Sequence, residues 1–341
     1  MGENPFRQIT VPQGTIPPGT YITIGQYQVM IERHLAEGGF AHVYVVQGRS
    51  GKKAVLKQTI VPDQEQIPIF QREINFMKSV SGNENIVQFF DSKIRARSKS
   101  EGEGYEVLIL MEYCSEGHVV DLMNTRLKVR LTEKEIINIF FSVCKAVAHL
   151  HYQNPPIIHR DIKVENVLIT SDGKYKLCDF GSATTEIIPP NKSLNIQEIR
   201  SLEEDIQKYT TIQYRSPEMC DLYQRRGLNE KVDIWALGVM LYKLCYYVTP
   251  FEDGNTLAVL NGSYTKPQSP PYSSHIHHLL DITLVVEPSV RANIYDVLSY
   301  LSSILGVPCP ITNVNLLIVN FYHILKVLFL RFFFFFFFFL I

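Results

Sequence analysis

The feature that most constrains how this chain can fold is the run His159-Arg160-Asp161-Ile162-Lys163-Val164-Glu165-Asn166, followed eighteen residues after Asp161 by Asp179-Phe180-Gly181. The run comes after a predicted helix and a short apolar stretch. Its residue types suit phosphoryl transfer, which asks a protein for in-line positioning and charge neutralisation and for little covalent chemistry. Asp161 can accept the proton of an incoming hydroxyl, and Lys163 can neutralise charge on a γ-phosphate. Asn166 and Asp179 offer the hard oxygen ligands that Mg²⁺ takes beside phosphate oxygens. Read blandly, the stretch is a loop with incidental charges, but the second motif at this spacing argues against that.

Upstream residues supply the rest of such a site. Ala54-Val55-Leu56-Lys57 reads as a strand ending in a lysine suited to the α- and β-phosphates. Phe70, Ile74 and Met77 recur at helical spacing, so Glu73 lies on a helix flanking the sheet, where it can pair with Lys57 and aim it. Ala36-Glu37-Gly38-Gly39-Phe40-Ala41-His42-Val43 is a small-residue turn between strands. Set against G-x-G-x-x-G-x-V, only Gly38 of the three glycines matches and Gly39 is extra, with Ala36 and Ala41 at the other two places. The alanines are small enough to let backbone N–H groups approach phosphate, and Val43 is placed to cover an adenine. Met111 ends an apolar strand, and the main chain of Glu112-Tyr113-Cys114 can meet the adenine edge.

The chain divides by character. Residues 1–20, rich in Pro, Gly and Thr, read as a loose lead-in. Tyr27–His34, His42–Val46, Lys53–Lys57 and Val107–Met111 are short β-rich runs. After Gly117 the pattern turns helical: Thr132 and Glu135 form a capping box ahead of the stripe Ile136, Phe140, Val143, Val147 and Leu150. Further helices are predicted about Val232–Tyr246 and Ile294–Leu305. The expected fold is therefore α+β and bilobal, with a β-rich lobe over 21–113, a helical lobe over 114–314 and the connector near Glu112–Gly117.

Composition narrows the partners. Lys+Arg is 33 against Asp+Glu 34, a net charge of -1, which favours neither nucleic acid nor an anionic membrane. The six cysteines form no Cys-x-x-Cys pair and no zinc spacing, so they are expected to be reduced packing residues. No secretory signal pattern is visible at the N-terminus, and Phe6 stands where a myristoylation signal after Gly2 would carry Ser or Thr.

Thr210-Thr211-Ile212-Gln213-Tyr214-Arg215-Ser216-Pro217-Glu218 follows later. Its last three residues match A-P-E with Ser for Ala. Thr211 sits where it would contact Asp161 and Lys163, and Glu218 is expected to pair with Arg291 and anchor the substrate loop. Asp233-Ile234-Trp235 opens a helix, and Trp235 is most simply a core residue.

With these residues in place, the chain resembles the Numb-associated kinase family, in particular its Ark/Prk branch. The resemblance is carried by Leu35–Ala41, Val107–Met111, Ile157–Asp161, Lys176–Ala183, Lys208–Thr211, Asp233–Gly238 and Cys309-Pro310-Ile311, and runs from about Tyr21 to Val314. It implies a bilobal protein kinase fold using ATP and Mg²⁺, with an extra helix after the activation segment near Cys220–Gly227. It also implies threonine-preferring phosphorylation of endocytic coat adaptors and actin-patch regulators, in the cytoplasm at cortical actin patches or endocytic sites. Lys163 with Thr211 resembles the serine/threonine enzymes, and Lys57, Asp161 and Asp179 argue against a kinase-shaped scaffold without activity. Glu203, Glu204 and Asp205 can offer Arg160 the negative charge that many kinases obtain by phosphorylation, or form a solvated acidic turn. His118 stands near a place where arginine-directed kinases often carry a glutamate, so a basic consensus is not expected.

Residues 315–341 are almost wholly apolar and end in the run Phe332–Phe339. Lys326 and Arg331 interrupt them, so no uncharged stretch reaches the ~20 residues of a spanning helix. The tail is expected to be translated non-coding sequence rather than a membrane anchor.

Overall fold

The computed structural model describes residues 15–38, 41–98, 102–251 and 255–313. The alternating runs form one six-stranded antiparallel sheet: β1 (Tyr21–Ile24), β2 (Tyr27–Gly38), β3 (Ala41–Gly48), β4 (Lys53–Val61), β5 (Phe89–Ala96) and β6 (Tyr105–Glu112), in the order β1-β2-β3-β4-β6-β5. β5 joins at the edge beyond β6, a strand the alternation had not marked. Helix α1 (Ile67–Val80) flanks the sheet; of the predicted stripe it buries Ile74 and Met77 and partly buries Phe70, and Glu73 is buried beside them.

The strand period of two sorts the sheet's side chains. Register places Ala36 opposite Val43, Val43 opposite Lys57, and Lys57 opposite Ile109, so these four share one face. Val55 and Met111 are paired on that same face. The other face carries Tyr44, Val46, Leu56, Leu108 and Leu110, which close over Ile24, Val29 and Ile31 as a small separate core. The described end of the lead-in is not loose. Ile16 N donates to Tyr44 Oη at 3.0 Å, and Gly19 N and Ile31 N exchange bonds with Ile31 O and Thr20 O. The Pro/Gly composition hid this, because the anchoring is done by backbone groups.

The helical lobe is built on α2 (Val119–Thr125), α3 (Glu133–His151), α4 (Ile196–Tyr209), α5 (Pro217–Cys220), α6 (Lys231–Tyr246), α7 (Thr256–Asn261), α8 (Ser274–Thr283) and α9 (Ile294–Leu305), with a two-stranded ribbon β7 (Val167–Ile169) and β8 (Tyr175–Leu177). α3 starts at the predicted capping box, with Glu135 N donating to Thr132 Oγ1 and Thr132 N to Glu135 Oε2. Its stripe Ile136, Phe140, Val143, Val147 and Leu150 is fully buried. α6 is buried on nearly every side, as a central helix must be. On it Trp235 stacks on Phe251, ring centroids 5.4 Å apart, and sits entirely in the core.

The extra helix expected near Cys220–Gly227 is not there; that stretch holds only the end of α5 and a single 3-10 turn, Leu222–Gln224. Arg225 takes a left-handed conformation that ends the turn. Gly227, at φ +78°, passes so close to the 188–190 backbone that a Cβ would lie 2.6 Å from Ile188 O. The long additional helix is α4, before the substrate loop. Its signals were present: an Asn195/Glu198 capping box and the stripe Ile199, Leu202, Ile206. Gly39 and the tail 315–341 lie outside the described residues. Among the described residues no helix is long and apolar enough to cross a membrane.

Candidate active site

Between the lobes lies a cavity of about 470 Å³, a size suited to a nucleotide. Ala36, Val43, Val55 and Met111 line it from the sheet, and Leu168 from below. Lys57, Glu73, Glu112, Cys114 and Asp179 line it too, so most residues singled out for nucleotide contact share one space. Gly38 ends β2 opposite Ala41.

Lys57 Nζ lies 2.8 Å from Glu73 Oε1, and Glu73 is buried. Burial alone would lower the Lys57 pKa, but the carboxylates of Glu73 and Asp179 outweigh it and hold the ammonium above its ordinary value. Burial likewise pushes the Asp179 carboxyl up, yet Lys57 and then His159 bring it below the ordinary carboxylate range. Both groups are therefore charged at neutral pH, a cation and an anion aimed into one cavity. Two thiols also line it and stay protonated. Burial, with Glu112 adding to it, pushes Cys114 up to about 12, and burial followed by the Asp179 charge raises Cys178 further. All six cysteines are free, as packing residues are expected to be.

The loop 159–166 forms a second cluster. Asp161 Oδ1 accepts from Thr211 Oγ1 at 2.6 Å; Asp161 Oδ2 accepts from Lys163 Nζ at 2.7 Å and from Asn166 Nδ2 at 3.0 Å. Lys163 Nζ also donates to Thr211 Oγ1 at 2.8 Å. A carboxylate has about four acceptor positions, so these three bonds leave roughly one for an incoming hydroxyl. Asn166 joins the two clusters: its side-chain amide donates to Asp161, while its main-chain carbonyl accepts from Cys178 N at 3.0 Å, next to Asp179. With Nδ2 committed, Asn166 Oδ1 is the oxygen left over. Asn166 and Asp179 thus fit Mg²⁺, which is held by one or two protein oxygens together with substrate phosphates. No three His, Cys, Asp or Glu side chains converge on a metal-sized point among the described residues.

Three supports were only partly legible. Arg160 stands at φ +67°, a strained value for a non-glycine residue. The carboxylate of Asp233 holds it there, accepting from Arg160 N and His159 N at 2.8 Å each and from His151 Nε2 at 2.9 Å. The sequence marked Asp233 only as a helix start, since its partners lie more than 70 positions away. Second, the Arg160 guanidinium meets Asp205 of α4, one of the three acids proposed for it, and donates to Ser182 O. The ring of Tyr209 on the same helix lies 5.9 Å from the Arg160 and Arg72 guanidinium carbons. Third, Lys176 of β8 reaches Glu112 at 2.9 Å, beneath the connector. Glu218 lies away from the cavity, in a buried two-bond pair with Arg291 at 2.7 and 2.8 Å. His118 caps α2 and its Nδ1 lies 2.6 Å from Glu165 O.

Residues 29–301 match the family model described as the protein kinase domain. The chain belongs to the protein kinase family. Within it, the chain is 46% identical over 299 residues to the serine/threonine-protein kinase ppk30 of Schizosaccharomyces pombe, covering 88% of this chain and 31% of that protein. It is 44% identical over 308 residues to actin-regulating kinase 1 of Saccharomyces cerevisiae, covering 89% and 48%. It is also 44% identical over 306 residues to the actin-regulating kinase PRK1 of that yeast, covering 88% and 37%. These relatives bear out the likeness to the Ark/Prk branch. This kinase spans less than half the length of each of them.

Proposed function

We propose that this kinase transfers the γ-phosphoryl group of ATP to serine and threonine hydroxyls of proteins, with threonine preferred. The observation that carries the reading is the Asp161–Lys163–Thr211 cluster, joined through Asn166 to a cavity where Lys57 and Asp179 face each other. Asp161 takes the proton of the substrate hydroxyl as its oxygen bonds to the γ-phosphorus, the bond from that phosphorus to the β,γ-bridging oxygen breaks, and ADP leaves. Lys57, aimed by Glu73, holds the α- and β-phosphates, and Lys163 balances charge on the transferred group. Asp179 and Asn166 would hold Mg²⁺, which when bound would neutralise charge on the phosphate oxygens. Ala36, Gly38 and Val43 cover the nucleotide, and the main chain at Met111, Glu112 and Cys114 meets the adenine edge.

The substrates inferred are endocytic coat adaptors and actin-patch regulators, with action in the cytoplasm at cortical actin patches or endocytic sites. The support is the likeness to kinases named as actin-regulating. A catalytic unit spanning 21–314 is inferred from the same alignment of motifs, with the tail outside it.

The test is transfer of labelled γ-phosphate to matched peptides differing only in threonine, serine or tyrosine. Threonine is expected to exceed serine, and tyrosine to be silent. Asp161→Asn is expected to lower kcat by about 10²–10⁴. Equal labelling by the wild type and Asp161→Asn would overturn the assignment.

A further inference from the structure

An open groove of about 600 Å³ begins at Lys163 and Thr211, beside the phosphoacceptor position, and runs past Gln213 and Tyr214 to Val248 and Thr249. Lys163 and Thr211, which both bond the Asp161 carboxylate, form its head, so the groove offers a peptide presenting its hydroxyl to Asp161 a place to lie. Among the described residues that line it, Glu165 is the one carboxylate. Left alone, a carboxylate four positions from Asp161 would recruit a basic side chain of the substrate, because arginine matches a carboxylate with two parallel hydrogen bonds.

Glu165 is not left alone. Lys243, near the C-terminal end of α6, brings Nζ to 2.6 Å from Glu165 Oε1. The lysine is held there: its side chain is mostly buried, and Nζ lies 5.9 Å from the centre of the Tyr214 ring. The other oxygen, Glu165 Oε2, is shielded from solvent and takes no hydrogen bond among the described residues. One face of the carboxylate is therefore occupied by a cation of the protein's own. The second is closed off, so a guanidinium cannot engage both oxygens. An arginine entering the groove would meet the Lys243 ammonium and, among the described residues that line it, no free carboxylate.

We propose that Lys243 is a specificity-determining residue: by neutralising Glu165 it makes the groove beside the phosphoacceptor reject basic substrate side chains and accept uncharged ones. This rests on the assigned protein-directed phosphoryl transfer and adds to it the charge class of the substrate. It also offers a cause, besides His118, for the expected lack of a basic consensus; the His118 ring itself meets the Glu165 carbonyl.

The test uses the full-length protein and one neutral threonine peptide in which arginine is placed, singly, at each position from five before to four after the threonine. For the wild type, kcat/KM with arginine is expected to equal or fall below that of the neutral peptide at every position. Lys243→Met is expected to raise the arginine-to-neutral ratio at least tenfold at one or two adjacent positions, and Lys243→Glu further. Lys243→Arg is expected to keep the wild-type ratio, and Glu165→Gln added to Lys243→Met to abolish the gain. A purely structural tether would instead lower kcat/KM for all peptides in parallel and leave the ratio unmoved, and that result would overturn the proposal. So would a wild-type ratio above ten at any position, which needs no variant to fold. Peptide affinity by fluorescence anisotropy reads the same ratio without turnover. A wild type that phosphorylates no peptide would therefore sink the assigned activity while the groove's charge preference is still decided.

Discussion

At the scale of single residues, what holds this site is a set of carboxylates that accept rather than react. Asp233 is fully buried and satisfies two backbone N–H groups and the His151 ring. Burial works against its charge, but the hydrogen bond and charge of His151, the charge of His159 and the backbone donor outweigh it and hold the carboxyl below its ordinary value. Replacing it with alanine orphans buried donors and releases the left-handed Arg160, so Asp233→Ala is expected to cost about 3 kcal/mol in urea denaturation. A group whose folded pKa is depressed stabilises above its unfolded pKa and loses that contribution as pH falls through the folded one. The wild-type advantage should thus be full above about pH 5 and shrink as the medium becomes more acid. An advantage that grew on acidification would rule out this role. The site was legible where chemistry constrains residue type. Asp161, Lys163, Asn166 and Asp179 were visible because the proton transfer, charge balance and metal ligation proposed for them admit few substitutes. Asp233, Lys176 and Lys243 were not, because an acceptor or a counter-charge can be supplied from anywhere the fold brings close.

At the scale of elements, α4 is the distinctive part. It packs Ile199 and Ile206 against Ile158, Met219 and Val232, and presents Asp205 to Arg160. Tyr209 extends the contact to Arg72, the neighbour of Glu73 on α1. A fixed carboxylate on a capped helix does what a phosphate on a loop does elsewhere: it gives the Arg160 guanidinium a charge-assisted partner. Activity is therefore expected without phosphorylation. Phosphatase treatment should leave kcat unchanged, while Asp205→Asn should lower it about tenfold, with little change in the KM for ATP. Loss of activity on phosphatase treatment would refute the idea. The element boundaries explain why α4 was misplaced from sequence. The capping box at Asn195 and the three-residue apolar stripe lay in plain view, but the resemblance put the extra helix after Glu218. There Pro217, Arg225 and the tight passage at Gly227 leave room for one turn only. The sheet was easier, since alternation alone separates the cavity face from the Tyr44–Leu56 face.

At the scale of the whole molecule, polar links join the two lobes, and a nucleotide would add to them. Val87 N donates to Leu177 O at 3.0 Å, Leu177 N to Asn85 O at 2.8 Å, and Lys176 reaches Glu112. The cavity is walled by Val43 and Val55 from the sheet and by Leu168 and Asp179 from the helical lobe, so a ligand filling it touches both. A ligand that binds only the folded state stabilises by RT ln(1 + [L]/Kd), about 2.7 kcal/mol at a hundredfold excess over Kd. For a chain of this size that corresponds to a rise in Tm of about 5 °C. Mg·ADP is expected to give this rise in one cooperative transition, because both lobes gain contacts at once. Chelating the metal should remove part of it, since the phosphate charges facing Asp179 would then be uncompensated. Asp179→Asn keeps the shape of the side chain and removes its charge, so ADP alone should stabilise this variant at least as well as the wild type. The further increment from Mg²⁺ should vanish in it. Differential scanning fluorimetry with ADP, with and without Mg²⁺, on both proteins checks this. An equal metal increment in both would mean that the cation is held by something other than Asp179.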